Sequence, residues 1–168
     1  MGTLHKSVQQ TAWDIAARVC DPEIPVLTIA DLGILRAVTV EDSTITVTIT
    51  PTYSGCPAMA AIRADLLAVF AQEGYANVEV ATVLAPAWTT DWMTGAGRAK
   101  LEEYGIAAPS GHASTGGHSG RVRLSLAVKC PQCQSLNTSE ITRFGSTSCK
   151  ALYVCRDCKE PFDYFKVI

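Results

Sequence analysis

Two Cys-x-x-Cys pairs, Cys130-Pro131-Gln132-Cys133 and Cys155-Arg156-Asp157-Cys158, stand 21 residues apart near the C-terminus. Paired knuckles at such a spacing bring four thiolates to one tetrahedral point, the arrangement of a structural zinc ribbon. A segment this short cannot bury enough apolar surface to fold unaided. A bound metal supplies the difference, at about 10–16 kcal/mol of apparent binding energy in small zinc fingers. Four thiolates also fill the coordination shell, leaving no position for an activated water. The pattern therefore predicts a stapled C-terminal module with one structural Zn2+, not a hydrolytic centre. The ligand set alone leaves iron open as the occupant.

The rest of the chain must then supply a separate fold. Its 168 residues are 48% hydrophobic, enough for a globular core of about 100 residues plus the small ribbon. A net charge of -2 gives no electrostatic reason to expect nucleic-acid binding. No uncharged apolar run approaches the roughly 18 residues of a membrane span. The first 20 residues show no apolar signal region. A cytoplasmic protein is expected, with its seven cysteines acting as metal-binding, reactive or buried thiols; disulfides are the alternative for the C-x-x-C pairs.

Hydrophobic spacing over residues 5–20, with Val8, Ala12, Ile15 and Val19 on one face, predicts a helix that Asp21-Pro22 ends. An ordered loop spans Asp21–Gly33. Strands follow at 34–40 and 44–50, joined by a turn at Glu41-Asp42-Ser43; Ile45, Val47 and Ile49 alternate with threonines. Pro57 opens a helix carrying Ile62, Leu66, Val69 and Phe70, which Gly74 closes. A third strand at 77–84 and a helix at 91–104 complete the order αββαβα. The expected fold class is α+β: a small sandwich with its helices on one sheet, over residues 1–106. The Gly- and Ser-rich stretch 107–120 reads as a flexible linker and 121–168 as the ribbon, entered by a strand at 121–129.

Cys56, in Tyr53-Ser54-Gly55-Cys56-Pro57, follows a strand at the mouth of a helix. Orphan N–H groups and the helix dipole stabilise a thiolate there, suiting a metal ligand or a nucleophile; a packed cysteine is the plainer alternative. No histidine lies nearby in sequence to act as its base. Asp21, Glu23 and Asp31 place three carboxylates in the preceding loop, able to ligate metal or simply to cap turns. Cys149, Cys20, Trp88 and Trp92 are read as packing residues, and His112 and His118 as exposed linker residues.

Three segments together resemble one family. Asp21-Pro22-Glu23-Ile24-Pro25 with Asp31-Leu32-Gly33, Thr52-Tyr53-Ser54-Gly55-Cys56-Pro57, and Pro86-Ala87-Trp88 through Trp92 look like the small domain of iron–sulfur cluster assembly factors. That domain followed by Gly145 through Phe162 is similar to the D subunit family of bacterial phenylacetyl-CoA epoxidases. The resemblance implies a cytoplasmic accessory subunit in aerobic phenylacetate degradation, not a catalyst on its own. Its partners would be the oxygenase and the iron–sulfur/flavin reductase, whose iron–sulfur or di-iron centres it would help to mature or repair. A docking role that uses the ribbon is the alternative. By motif match Cys56 handles iron or a transient cluster, with Asp21, Glu23 and Asp31 around it. One thiolate is fewer than the four ligands a cluster usually takes. Either a homodimer shares the cluster or a client or small thiols complete it.

Overall fold

The computed structural model describes residues 7–111 and 127–168. They form helices α1 (Val8–Ala16), α2 (Ala58–Gln72) and α3 (Gly95–Glu103) and strands β1 (Leu35–Glu41), β2 (Thr44–Ile49), β3 (Val78–Thr82), β4 (Ile106–Ala107), β5 (Thr138–Thr142), β6 (Lys150–Cys155) and β7 (Pro161–Phe165). A 3-10 turn spans Thr90–Trp92. The chain divides into two compact units at Trp88/Thr89.

In the first unit the sheet order is β1-β2-β3, with β1 antiparallel and β3 parallel to β2. Ile45, Val47 and Ile49 are buried while the threonines between them are only half-buried, as strict alternation requires. A bulge at Arg36 inserts one residue into β1, so that Leu35 and Val38, three apart, both reach the core. Asp42 and Ser43 take φ of 44° and 70°, forming the two-residue loop whose twist matches a right-twisted hairpin. Helix α2 buries Ala58, Ile62, Leu66 and Phe70. It ends in a Schellman motif: the Tyr75 N–H donates to Phe70 O at 3.0 Å and the Gly74 N–H to Ala71 O at 3.1 Å, with Gly74 at φ 86°. The rings of Phe70 and Tyr75 meet edge to face, their centroids 5.9 Å apart, which seals that end.

Helix α1 is shorter than its apolar spacing predicts. It stops at Ala16, and tight bonds from the Arg18 and Val19 N–H groups to Ile15 O and Ala16 O turn the chain several residues before Pro22. The chain then enters the loop, where Cys20 and Thr28 form an isolated antiparallel bridge. Ile24, Leu27, Ile29, Leu32 and Ile34 are all buried, so this loop is part of the core. Trp88 is buried too, its indole N–H donating to Leu32 O at 2.9 Å.

The second unit corrects two expectations. The helix expected over 91–104 is broken at Met93, because Thr94 caps a new helix by accepting the Gly97 N–H at 2.9 Å. That helix, α3, packs on β4, and β4 runs parallel to β7 in a sheet of order β4-β7-β6-β5. The expected boundary after residue 106 therefore differs from the observed division, since residues 89–107 fold with the ribbon. Ala107, expected to start the linker, is a buried strand residue. Arg98 fixes the arrangement by donating to Thr90 O and Pro109 O, each at 2.8 Å. The linker from 112 onward, His112, His118, and residues 121–126 of the expected strand lie outside the described residues; 127–129 carry no strand. Among the described residues no helix is long and apolar enough to cross a membrane.

Candidate functional site

The ribbon builds its site from two copies of one turn. In the first, the Cys130 N–H donates to Ser135 O at 2.9 Å and Gln134 takes φ 65°; in the second, the Cys155 N–H donates to Glu160 O at 3.0 Å and Lys159 takes φ 67°. A left-handed non-glycine residue costs about 1–2 kcal/mol. Each turn accepts that cost because it aims two sulfurs the same way.

The Sγ atoms of Cys130, Cys133, Cys155 and Cys158 all lie within 4.8 Å of one another. Cys130 and Cys158 are 3.8 Å apart, and Cys133 and Cys155 3.5 Å. A tetrahedron with metal–sulfur bonds of about 2.3 Å has edges of about 3.8 Å, so the set fits zinc. Behind it Ala107, Val128 and Phe162 pack with Cys130 and Cys155, flanked by Tyr153 and Tyr164.

Backbone donors prepare the sulfurs for charge. The N–H groups of Cys158 and Asp157 hold the Cys155 thiol down at about 7. The Glu160 N–H favours the Cys158 thiolate, yet burial and the surrounding sulfurs push that thiol up to about 12. The Ser135 N–H acts likewise on Cys133, where the neighbouring Cys155 sulfur and burial outweigh it and the thiol rises. Four like charges cannot collect here without a cation, so binding a divalent metal is what lets all four ionise. Cys149 stands apart from the set: it is buried, its Sγ 3.0 Å from Thr147 Oγ1.

Cys56 occupies a different setting. It precedes Pro57, the N-cap of α2, and is half-buried. Its N–H donates to Tyr53 O at 3.2 Å and its carbonyl accepts the Met59 N–H at 3.3 Å, while Gly55 turns the chain at φ 84°. The expected depressed pKa is not what this geometry produces. Burial pushes the thiol up and the Glu23 carboxylate adds to the rise; the Ala58 N–H and the Thr52 and Tyr53 hydroxyls oppose them without prevailing. Pro57 has no N–H, which removes one donor from the helix mouth. At neutral pH Cys56 is a protonated thiol.

The three loop carboxylates separate by task. Asp21 Oδ1 accepts the Glu23 and Ile24 N–H groups, both at 2.8 Å. Asp31 Oδ2 accepts the Thr28 N–H at 3.1 Å, while Thr28 Oγ1 accepts the Asp31 N–H at 3.0 Å. Both stitch the loop into its fold. Glu23 is the one whose charge acts on Cys56. Cys20 is exposed, with its Sγ 3.8 Å from Arg18 O. Spacing alone missed Ser135, Asn137 and Asp157, which link the two knuckles: Ser135 Oγ and Asn137 Nδ2 donate to the Asp157 carboxylate, the latter at 2.7 Å. An aspartate between two cysteines carries no periodic signal.

Fold and site together define an iron–sulfur-assembly-type α+β domain joined to a four-cysteine metal ribbon. The family model "Iron-sulfur cluster assembly protein" matches residues 10–82, and that of the "PaaD zinc beta ribbon domain" matches 114–166. The "Putative 1,2-phenylacetyl-CoA epoxidase" D subunit of Escherichia coli (strain K12) is 48% identical over 156 residues, covering 93% of this chain and 91% of its own. The chain belongs to the family of phenylacetyl-CoA epoxidase D subunits. A domain of unknown function, DUF59, from Bacillus anthracis shares its fold at 26% identity and a TM-score of 0.52, over 55% of this chain and 90% of that one. A conserved hypothetical protein from Thermotoga maritima aligns at 28% identity and a TM-score of 0.48, over 57% and 95% of the two chains.

Proposed function

We propose that this chain is a cytoplasmic accessory subunit of the multicomponent phenylacetyl-CoA epoxidase, assisting the maturation or repair of its partners' iron centres. The partners are the oxygenase and the iron–sulfur/flavin reductase, and the client is an iron–sulfur or di-iron centre in one of them. The carrying observation is the union, in one chain, of an assembly-type domain and a metal ribbon, in a family named for an epoxidase component. The chain does not catalyse alone.

Cys130, Cys133, Cys155 and Cys158 hold one structural zinc per chain, with a full shell that gives the metal no open position. Cys56 handles the iron or cluster cargo, with Glu23 beside it and Asp21 and Asp31 shaping the loop. A protonated thiol binds iron only by giving up its proton, and the Glu23 charge opposes that step. One ligand of a usual four makes the hold weak, as transfer requires. A second copy of the chain or the client completes the shell.

Anaerobic reconstitution with iron and sulfide tests the reading. Wild type is expected to gain labile iron and to activate the partner proteins, and Cys56→Ala to do neither. Equal behaviour of the two proteins would sink the role of Cys56. Exposed apolar side chains on the ribbon, Leu136, Ile141 and Phe144 at 60%, 55% and 69% exposure, favour a second reading in which the ribbon docks the partners. Partner capture that survives Cys56→Ala but is lost without the ribbon would select it.

A further inference from the structure

We propose that Asp157 is the positioning residue of the metal centre: its carboxylate locks the two knuckles to each other and so sets how slowly the metal leaves. This rests on reading the four cysteines as a metal centre. Each knuckle is pinned internally by its own backbone bond, from Cys130 N–H to Ser135 O and from Cys155 N–H to Glu160 O. Those bonds hold each pair of sulfurs but do nothing to hold one pair against the other.

The side-chain links between knuckles converge on Asp157, beside the backbone pairing of β5 with β6 that begins at Thr138 and Cys155. One carboxylate oxygen accepts Ser135 Oγ–H and the other accepts Asn137 Nδ2–H at 2.7 Å. Ser135 Oγ in turn accepts the Asn137 N–H at 3.0 Å, and the Arg156 N–H donates to Asn137 O at 2.8 Å. Ser135 thus holds Cys130 through its carbonyl and Asp157 through its hydroxyl. The path from a ligand of the first knuckle to the middle of the second runs through those two hydrogen bonds. An ionised carboxylate suits the position because it accepts two donors at once in charge-assisted bonds.

Metal release begins when one thiolate detaches. With the clamp in place, the freed sulfur stays within reach of the metal and rebinds. Without it only the Arg156–Asn137 backbone bond, the β5–β6 pairing and the shared apolar cluster hold the two pairs together, so a detached sulfur strays further and rebinds less often. Charge alone predicts the opposite sign. A metal held by four thiolates carries net negative charge, so deleting a nearby carboxylate would tighten binding if repulsion were its only effect.

The test loads the full chain with zinc and follows release to an excess of a colour-forming chelator. Asp157→Ala is expected to speed release about 10–100-fold, the usual cost of losing an outer-shell partner. Asp157→Asn can still accept from Asn137 and donate to Ser135 Oγ, and its rate should fall between the two. Cobalt-loaded Asp157→Ala should keep the absorption bands of a tetrahedral four-thiolate site. If Asp157→Ala does not fold, Ser135→Ala removes one of the two bonds to Asp157, together with the acceptor of the Asn137 N–H, and is expected to speed release in the same direction. Release from Asp157→Ala within twofold of wild type, or slower than wild type, overturns the proposal, as does Asp157→Asn behaving like alanine. A wild-type chain that binds no metal at all would instead overturn the metal centre.

Discussion

The two thiol sites of this chain use opposite chemistry. In the ribbon, four sulfurs converge within 4.8 Å, backbone N–H groups point at them, and both knuckles accept strained left-handed residues to keep them aimed. At Cys56 one sulfur stands at a helix mouth, partly buried, under the charge of the Glu23 carboxylate and kept protonated. The first arrangement favours a cation at its centre, with a full shell that suits a metal that stays. The second resists ionising, so whatever it binds is held through one reluctant ligand. On the proposed reading, retention at the ribbon and transfer at Cys56 would follow from ligand number and thiol ionisation, without different ligand types.

The largest expected effect breaks the ribbon. Cys155→Ser removes one of four ligands, and with it much of the about 10–16 kcal/mol that structural zinc supplies to such modules. The unit from Thr89 onward should lose its amide dispersion by NMR, while the first unit keeps its own. A ribbon still folded in Cys155→Ser would show that the metal does not staple it. Phe70→Ala is the counterpart in the first unit. It empties a fully buried ring site in α2 and should cost about 3–5 kcal/mol. Chemical denaturation should register that loss, with one metal per chain unchanged.

Arg98→Ala probes where the division lies. Its guanidinium bonds two carbonyls, Thr90 O and Pro109 O, and hydrogen bonds from a charged donor contribute about 1.5–3 kcal/mol each. The loss should fall on the unit from Thr89 onward alone, read as its separate unfolding transition. A loss that fell on the first unit would return residues 89–107 to it.

That division was hidden in the sequence for a physical reason. The hairpin, α2, the third strand and the clustering of four cysteines were all legible because each rests on a periodic or spaced pattern: alternating Ile45, Val47 and Ile49, a stripe through Ile62, Leu66 and Phe70, and paired knuckles. β4 is two residues long, and its place is set by pairing with Asp163 and Tyr164, far along the chain. The end of α1 was misplaced because the tertiary demands of the buried loop overrode an apolar stripe that would otherwise continue to Val19. The roles of the loop acids were legible only as a group. Which carboxylate's charge reaches the thiol, and which two serve the backbone, depends on a loop conformation that spacing does not encode. The same applies to the ionisation of Cys56, where the helix mouth suggested a thiolate and burial decided against it.

The smallest effect is the sharpest test of the contrast. Burial is the largest cause of the raised Cys56 pKa, and Glu23 is the charge that adds to it. Replacing Glu23 by Gln removes the repulsion and leaves burial in place, so the pKa should fall part of the way toward the ordinary thiol value. Below that pKa the thiolate fraction rises about tenfold per pH unit, so at about pH 8 Glu23→Gln should react faster with iodoacetamide than wild type does. Each 1.36 kcal/mol of repulsion corresponds to about one pKa unit, and a partly exposed pair is worth about 1 kcal/mol at most, which limits the gain to a few-fold. The advantage should shrink as pH climbs through the wild-type pKa, where both thiols are ionised, and with added salt, which screens the pair. Metal-loaded ribbon thiols serve as the internal control, since the cation holds them out of the reaction. A variant no faster than wild type under these conditions would mean that burial alone keeps Cys56 protonated and that Glu23 has no part in its chemistry.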